Sequence, residues 1–276
     1  MVDNLSDGRV ALAFASGWQP NDFVLAPDRY EERREVLQRG IEQVRGLWRG
    51  EPLTRENPAG DAVEVRTLPR PVQPELPVWL TTAGDVESWK RAGQLGANVL
   101  THLLGQSLEQ VADKIRTYRD AHAKSGAAGR GTVTIMLHTL VGEDDAVVRE
   151  LVREPMKRYL GSSVSLIKGF ASSFPFRTLE GQRAVVEDFD LGALNDEEMD
   201  ALLEHSFERY FQSSGLFGSV ERCAAIVDEL KGIDIDEIAC LLDFGVDQQI
   251  VLDSLGLLDA LRERAKIGRA SCRERV

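Results

Sequence analysis

Short apolar runs alternate with longer amphipathic segments along most of the chain. Five runs rich in Val, Ile, Leu and Ala predict strands, and the segments between them have the three-to-four-residue apolar spacing of helices that face a core. The predicted strands span residues 10–15, 78–82, 98–104, 132–141 and 236–245. Because these runs are continuously apolar, they predict strands buried on both faces of a parallel sheet.

The predicted helices follow the strands in order. They span residues 29–48, 85–97, 107–125, 145–217, 218–235 and 247–264. Asn195 and Glu198 have the spacing of a capping box, which predicts a helix start inside the long fourth segment. Residues 62–68 alternate in polarity and precede four prolines, so they predict a surface extension rather than a central strand.

Repeated strand–helix units predict either a doubly wound sheet or an eight-stranded barrel. No G-x-G-x-x-G follows the first strand, so the dinucleotide-binding fingerprint is missing. Five units are too few for a complete barrel of about 250 residues. The pattern therefore leaves two alternatives, an open sheet or a barrel from which strands are missing.

Composition narrows the class of protein. The formal net charge is −12, which argues against nucleic acid or an anionic membrane as a partner. No apolar run approaches the about 20 residues of a membrane span, and the first residues lack the pattern of a signal peptide. The three cysteines and four histidines lack disulfide or metal-site spacing, so we expect a cytoplasmic protein without a bound metal.

The last eleven residues, 266–276, differ from the rest of the chain. They carry four basic residues against one acidic residue, and they match the translation of a common sequencing adapter. We interpret this segment as a non-native tail and the chain as one partial domain over residues 1–265. A native basic tail is the alternative.

The chemistry-bearing residues cluster where predicted strands end, which is where α/β barrels place their active sites. These positions are Ser16, Gly17, Thr82, Ala83, Gly84, Thr101, His102, His138, Thr139 and Asp243 to Gly245. They include no paired carboxylates and no nucleophile elbow. Hydroxyls, glycines and imidazoles are typical of a site for a planar, phosphorylated cofactor that itself carries the chemistry.

Two of these positions allow two interpretations. Thr82–Gly84 precedes a helix that starts near Asp85, which is either a phosphate site or an ordinary turn with Asp85 as N-cap. His138 lies inside a strand pattern and is either a catalytic group or a hydrogen-bonded core histidine. His205, Tyr210 and the neighbouring Phe residues have helical spacing, which predicts a packing role.

Five segments in the right order carry a resemblance to a known family. They read NLSDGRVALAFASGW, VRGLW, RPVQPELPVWLTTAG, AGQLGANVLTHLLGQ and GSVERCAAIVDEL. Together, over residues 2–264, they resemble the luciferase-like flavin monooxygenases. The match is nearest to the subgroup associated with nonribosomal peptide and polyketide synthetases.

The resemblance implies an α/β fold, a (β/α)8 TIM barrel of the bacterial luciferase type. The strand at 10–15 corresponds to the fourth strand of that barrel, so the resemblance implies that strands one to three are missing. Residues 145–217 correspond to the helical insertion before the last strand.

The resemblance also implies reduced FMN, supplied by a separate reductase, with O2 as co-substrate; related branches use a deazaflavin. The residues matched to cofactor binding are Ser16, Gly17, Thr82, Ala83, Gly84, Ser88 and Thr101, and those matched to catalysis are His102 and His138. Where relatives read SGWHP, this chain has Gln19, which argues against an acid–base role at that position.

Three functional hypotheses follow. The first is a monooxygenase that acts on a small-molecule or carrier-protein-bound natural-product intermediate, with synthetase modules as partners and a homo-oligomer as the assembly. The second is a deazaflavin- or flavin-dependent oxidoreductase of the same superfamily. The third is an inactive truncated fragment, because losing three strands exposes sheet edges and apolar surface.

Overall fold

The computed structural model describes residues 1–17, 20–162 and 194–273. Its strands are β1 (Leu12–Phe14), β2 (Leu53–Glu56), β3 (Ala62–Val65), β4 (Val78–Thr81), β5 (Asn98–Thr101), β6 (Val133–Gly142), β7 (Leu216–Ser219) and β8 (Glu237–Leu241). Its helices are α1 (Val2–Leu5), α2 (Arg33–Arg49), α3 (Val86–Gln94), α4 (Leu108–Lys124), α5 (Asp145–Gly161), α6 (Asp196–Ser213), α7 (Val220–Gly232) and α8 (Gln248–Arg273).

The chain divides into two compact units. The first comprises Met1–Leu100 and Tyr118–Gly131, and the second comprises Thr101–Thr117 and the described residues from Thr132 onward. In the first unit, β4 pairs in parallel with β1 and with β5. In the second unit, β6 pairs in parallel with β8 along its first half and with β7 along its second half. The predicted parallel strand–helix organisation is confirmed.

Burial on both faces is confirmed for β6, in which eight of the ten residues are buried. In β4 one face is buried, since Val78 and Leu80 are 2% and 3% exposed, whereas Thr81 on the other face is exposed. In contrast, Leu12 of β1 is 39% exposed, although it pairs directly with Val78. β1 is also shorter than the predicted strand, since only residues 12–14 are paired.

The segment after α2 contains a hairpin that the sequence pattern did not predict. α2 ends at Gly50, whose φ of +91° is the left-handed conformation that favours glycine at a helix C-terminus. β2 and β3 then pair as an antiparallel hairpin, and most of their residues are exposed. The predicted surface extension is therefore half of this hairpin. β2 escaped prediction because Leu53 is its only apolar residue.

The predicted helical segment 145–217 is only partly helical. α5 and α6 are helices, and the side chain of Asn195 and that of Glu198 form the predicted capping box at the start of α6. Residues 216–219 form strand β7 rather than the end of a helix. The rest of the prediction, over residues 163–193, lies outside the described residues.

The core of the second unit lies between α5, α6 and the strands. Its buried members are Leu140, Val148, Val152, Met156, Leu160, Phe207, Tyr210, Phe211, Phe217 and Phe244. Four of these are phenylalanines, two of them on α6 itself, so aromatic rings make up much of this core. This core places α6 against the strand that carries His138.

Several ion pairs join α5 to α6, and three of them are here called the ion ladder. Arg149 pairs with Glu208 and Arg153 with Glu204, and Lys157 Nζ lies 2.6 Å from Asp200 Oδ1. The cations are spaced four residues apart on α5, and the anions are spaced four residues apart in reverse order on α6. The two helices are therefore antiparallel, and each presents one line of like charge to the other.

The second unit also has an apolar groove of about 500 Å³. Side chains of α7, β8 and α8 line it, among them Val227, Leu230, Ile238, Leu258 and Leu261. The helix α8 continues to Arg273, through most of the segment interpreted as a non-native tail, and that interpretation stays a prediction. Among the described helices, none combines the length and apolar character that crossing a bilayer requires.

Candidate active-site residues

His138 occupies a buried aromatic environment in the second unit. β6 places its side chain in the interior, where it is 2% exposed. Its Nδ1 lies 2.5 Å from the hydroxyl oxygen of Tyr210 on α6. The imidazole is edge-on to three rings, those of Tyr159, Tyr210 and Phe244, at centroid distances of 4.5, 5.6 and 5.2 Å.

These surroundings keep His138 neutral. Burial lowers the pKa of His138 to about 4, against the weaker opposing effect of the Asp243 carboxylate. Burial, together with Tyr159, raises the pKa of Tyr210 far above its ordinary value, so Tyr210 stays a phenol. Near pH 7 the pair is therefore an uncharged imidazole hydrogen-bonded to an uncharged phenol.

The second ring nitrogen of His138 is buried and unsatisfied. Within residues 1–17, 20–162 and 194–273, no group hydrogen-bonds to its Nε2. A buried polar atom without a partner costs about 1–3 kcal/mol, so such an atom needs an explanation. An unsatisfied ring nitrogen is not by itself evidence of a binding role, because His122 of the first unit also has one, Nδ1, without a partner in the described chain. His138 differs in that Tyr210 fixes its other nitrogen.

His102, which follows β5, is held by its own loop. Its Nδ1 accepts a hydrogen bond from the Leu104 amide at 3.1 Å, which places the ring proton on Nε2. Burial, and then the Lys114 ammonium, lower the pKa of His102. Gln106 links the two groups, because its amide donates to the His102 carbonyl and accepts from Lys114 Nζ. His102 is therefore a second neutral N–H donor in the second unit.

Thr101 ends β5 and points inward. It is 1% exposed, and its hydroxyl has no hydrogen-bond partner in the part of the chain that the structure describes. Thr139, which follows His138, differs because its hydroxyl donates to the Leu137 carbonyl at 2.9 Å. Of these two threonines, only Thr101 has a hydroxyl left over for another group.

In the turn between β4 and α3 of the first unit, the hydroxyl of Thr82 is left without a hydrogen bond among the described residues. Its amide donates to the Leu100 carbonyl and extends the sheet, while its buried hydroxyl has no partner among the described residues. The Ala83 carbonyl accepts from the Trp89 indole at 2.9 Å. Gly84 is exposed, and a Cβ there would meet nothing within 4 Å. Local packing therefore does not require glycine at position 84.

The start of α3 is capped by its own carboxylate. Asp85 accepts from the Glu87 amide at 3.1 Å and from the Ser88 hydroxyl at 3.0 Å, and Arg34 lies 3.4 Å from it. This is the ordinary-turn interpretation of the sequence, and it uses the Ser88 hydroxyl. A negative carboxylate at this helix start also repels a phosphate. The Ser88 hydroxyl is thus used within the chain, whereas the Thr82 hydroxyl has no partner among the described residues.

Ser16 and Gly17 follow β1 and lie at the same sheet edge as Thr82, because β1 and β4 are parallel neighbours. Gly17 has φ of +76°, and a Cβ there would lie 2.8 Å from the Phe23 ring. Contact with Phe23 is thus sufficient to explain this glycine. The Ser16 hydroxyl makes only a long contact of 3.4 Å with the Gly17 carbonyl. Gln19 lies outside the described residues.

Tyr210 and Tyr159 are functional candidates that the sequence did not single out. The helical spacing of Phe207, Tyr210 and Phe211 predicted packing, and all three are indeed buried in the core. A packing role alone is nevertheless incomplete for Tyr210, because its hydroxyl also bonds His138 across 72 residues of sequence. The one local signal was a tyrosine in an otherwise apolar helix stripe, since buried phenols need a partner.

Comparison with known proteins identifies the family to which this chain belongs. The family model for luciferase-like monooxygenases matches residues 1–237, so the chain belongs to that family. The solved structure of the oxygenating constituent of 3,6-diketocamphane monooxygenase from Pseudomonas putida, in complex with FMN, is similar. It has a TM-score of 0.66 at 14% identity, covering 93% of this chain and 71% of that one. The predicted fold class, an α/β fold of the luciferase-like barrel type, is thereby confirmed.

Two curated relatives match over shorter stretches. An uncharacterized protein of Mycobacterium tuberculosis is 33% identical over 97 residues, 32% of each chain. An F420-dependent glucose-6-phosphate dehydrogenase of Amycolatopsis mediterranei is 29% identical over 114 residues, 40% of this chain and 33% of that protein. The matches thus span about a third of the length of these relatives.

Proposed function

We propose that this chain belongs to a flavin-dependent monooxygenase that uses reduced FMN, delivered by a separate reductase, and O2. The observation that carries the proposal is the buried, neutral His138 with an unsatisfied Nε2 in an aromatic environment. Oxygen activation by a flavin requires a site that excludes water and offers a few placed donors. An imidazole among three aromatic rings meets both requirements.

The buried hydroxyls and the imidazole without partners are chemically suited to contact a flavin. The buried polar atoms without a partner in the described ranges include Thr82 Oγ1, Thr101 Oγ1 and His138 Nε2. FMN offers phosphate and carbonyl oxygens, which accept hydrogen bonds from such groups. When bound, the flavin supplies the redox chemistry.

The residues of this chain then have separable roles. The resemblance assigns Thr82, Ala83 and Gly84 of the first unit to the phosphate end of the cofactor, and Ser16 and Gly17 of the same unit to cofactor contact. In the second unit it assigns Thr101 to cofactor contact. His102 and His138 donate to the reacting groups as neutral imidazoles. Phe244 packs edge-on against the His138 imidazole and, with the other phenylalanines of the core, excludes water from it.

A second candidate is a deazaflavin-dependent oxidoreductase of the same superfamily. The relative that matches the larger share of this chain, 40%, is described as F420-dependent. F420 resembles FMN in its planar ring and its phosphate, but as a deazaflavin it transfers a hydride and does not activate oxygen. The orphaned hydroxyls and imidazoles suit both cofactors, so the experiment must separate them.

A third candidate is that the chain alone is inactive because its fold is incomplete. Leu12 of β1 is 39% exposed, and the groove between α7 and α8 leaves apolar side chains uncovered. Exposed sheet edges and apolar grooves of this kind are covered in stable proteins. We propose that a longer parent protein covers them.

The proposed substrate is a small-molecule or carrier-protein-bound natural-product intermediate, and the proposed partners are synthetase modules and further copies of the chain. The proposed compartment is the cytoplasm. These proposals rest on the resemblance of the strand-end segments and not on a described contact.

Titration of the full chain with FMN, with FMN reduced anaerobically, and with F420 tests the three candidates. Tighter binding of reduced FMN, with an altered rate of its re-oxidation by O2, supports the monooxygenase. Tighter binding of F420, with protein-dependent hydride transfer, supports the second candidate. Binding of none of them by a chain that unfolds cooperatively would contradict both, whereas a non-cooperative transition supports the third.

A matched pair of histidine variants serves as the control. His138→Leu should weaken cofactor binding about tenfold or more, the effect of losing one buried hydrogen bond. His122→Leu removes a histidine that is equally buried and also has an unpartnered nitrogen, but that lies on α4 in the first unit. Equal losses in both variants would mean that His138 acts only through folding.

A further inference from the structure

We propose that Tyr210 is a positioning residue that holds His138 in the tautomer with its proton on Nε2. β6 thereby presents a neutral N–H donor to a carbonyl-type acceptor of the bound cofactor ring. The identity of the acceptor rests on the proposed function, but the assignment of the tautomer does not.

The first step concerns which atom donates. A phenol is a stronger hydrogen-bond donor than a neutral imidazole N–H, and an imidazole nitrogen is a stronger acceptor than a phenol oxygen. At 2.5 Å the Tyr210 hydroxyl and His138 Nδ1 share one hydrogen bond. The phenol therefore donates, Nδ1 accepts, and the ring proton of His138 lies on Nε2.

The second step concerns why this arrangement persists. The titratable groups that face the imidazole in the described chain are Tyr210 on α6, Tyr159 on α5 and Asp243 after β8. Both tyrosines remain phenols, because burial raises the pKa of each. The one carboxylate, Asp243, is too weak an influence to offset burial of the imidazole. None of these three neighbours therefore supplies or removes the ring proton near pH 7.

The third step concerns what such a group can do. A neutral N–H donor in an apolar environment stabilises negative charge that develops on an oxygen or nitrogen, as an oxyanion-hole donor does. It is a poor general acid, because a group works best as an acid when its pKa is near the working pH. His138 is therefore assigned to charge stabilisation by hydrogen bonding and not to proton transfer as an imidazolium.

The direct test is NMR of the full chain labelled with ¹⁵N-histidine, without any cofactor. The chain has four histidines, so His138→Gln identifies the signals of His138. We expect a pyrrole-like Nε2 and a pyridine-like Nδ1, unchanged between about pH 5.5 and 8 because the pKa lies well below this range. A protonated Nδ1 in the wild-type chain would overturn the proposal, whether or not a flavin binds.

Two tyrosine variants then separate positioning from packing. Tyr210→Phe removes the hydroxyl that bonds Nδ1, whereas Tyr159→Phe makes the same change in the ring 4.5 Å from the imidazole centroid. We expect mixed His138 tautomers in Tyr210→Phe and the wild-type tautomer in Tyr159→Phe. An unchanged tautomer in a folded Tyr210→Phe chain would refute the role of Tyr210.

Cofactor binding supplies the last readout. Tyr210→Phe should raise the Kd for the flavin that binds, by about three- to tenfold, because part of the population has lost the Nε2 proton. His138→Gln should retain binding better than His138→Leu, since the Gln amide is a donor that cannot titrate. If the wild-type chain binds the flavin and both His138 variants lose affinity equally, the donor role of His138 is contradicted. The proposed function is left intact by that result.

Discussion

β1 and β6 have similar apolar sequences and different surroundings. Leu12 of β1 is 39% exposed, while Leu137 of β6 is 1% exposed. β6 pairs with β8 and β7, and the aromatic core under α5 and α6 packs on it. β1 pairs with β4 alone among the described residues. An apolar run thus predicts a strand, but its burial depends on partners that the run itself does not specify.

The largest expected effect is the loss of a side chain from β6. Leu137→Ala should lower the free energy of unfolding by about 2–5 kcal/mol, because it removes buried methyl groups and leaves a cavity. Urea unfolding followed by circular dichroism measures this change. As a control of similar volume, Leu137→Met should cost less than about 1.5 kcal/mol. A loss below about 1 kcal/mol for the alanine variant would mean that β6 is not a core strand.

A second expected effect tests whether the exposure of β1 extends to its whole unit. In α3 of the first unit, a Cβ on Gly93 would lie 2.6 Å from the Tyr118 carbonyl oxygen and 2.7 Å from Ala121 Cβ. Gly93→Ala should therefore destabilise the chain by about 1–3 kcal/mol.

Gly40 of α2 is the matched control in the same unit, since a Cβ there meets nothing within 4 Å. Gly40→Ala should stabilise the chain by about 0.5–1 kcal/mol through helix propensity. Urea unfolding of both variants should show changes of opposite sign in the free energy of unfolding. Similar effects for both glycines would show that the first unit is loosely packed throughout.

A smaller effect concerns the attachment of the segment before β1. The Asp3 carboxylate accepts hydrogen bonds from the Val72 and Gln73 amides and from the Gln73 side chain. Burial raises the pKa of Asp3, but these bonds outweigh it and the pKa lies below its usual value. The stabilisation is therefore present above the unfolded pKa of about 3.9 and is lost as pH falls through the folded pKa.

Asp3→Asn should flatten this part of the pH dependence. Thermal unfolding of both proteins between about pH 6 and 3 is the measurement, and the two curves should converge at the acid end. Parallel curves would show that Asp3 does not contribute. The attachment matters for β1 because Gln73 also donates to the Val10 carbonyl at 2.7 Å, just before the strand.

The smallest effect is expected in β1 itself. Leu12→Ala should change the free energy of unfolding by no more than about 1 kcal/mol, because the side chain remains partly in water. The difference between the losses of unfolding free energy in Leu12→Ala and Leu137→Ala measures how differently the two strands are buried. A loss comparable to that of Leu137→Ala would mean that β1 is covered in solution, for example by another copy of the chain.

The local sequence predicted elements better than it predicted their partners. Parallel strand–helix units, the capping box at Asn195 and the position of His138 in a strand follow from periodicity and spacing. The short strand β7 could not be predicted from periodicity, because its sequence LFGS is too brief to show a period of two. The contact of His138 with Tyr210 could not be predicted either, because it joins positions 72 residues apart.

The glycines at the strand ends show a similar limit of sequence-based prediction. Gly17 was assigned to a flavin that approaches closely, and the structure provides Phe23 as a sufficient reason for a residue without a side chain there. Gly84 was assigned in the same way, and nothing in the described chain crowds it. A glycine in a sequence shows that space or a rare conformation is useful, but it does not show which neighbour needs it.

The ion ladder between α5 and α6 has a consequence for how the chain encodes its alignment. All three α5 members are cations and all three α6 members are anions. A slip by one helical turn, about 5.4 Å, would still leave two of the three pairs formed. Such a slip leaves one cation and one anion without a partner, so the charges favour the observed alignment by a single pair. The hydrogen bond from Tyr210 on α6 to His138 on β6 adds a contact between α6 and the sheet that does not depend on these charges.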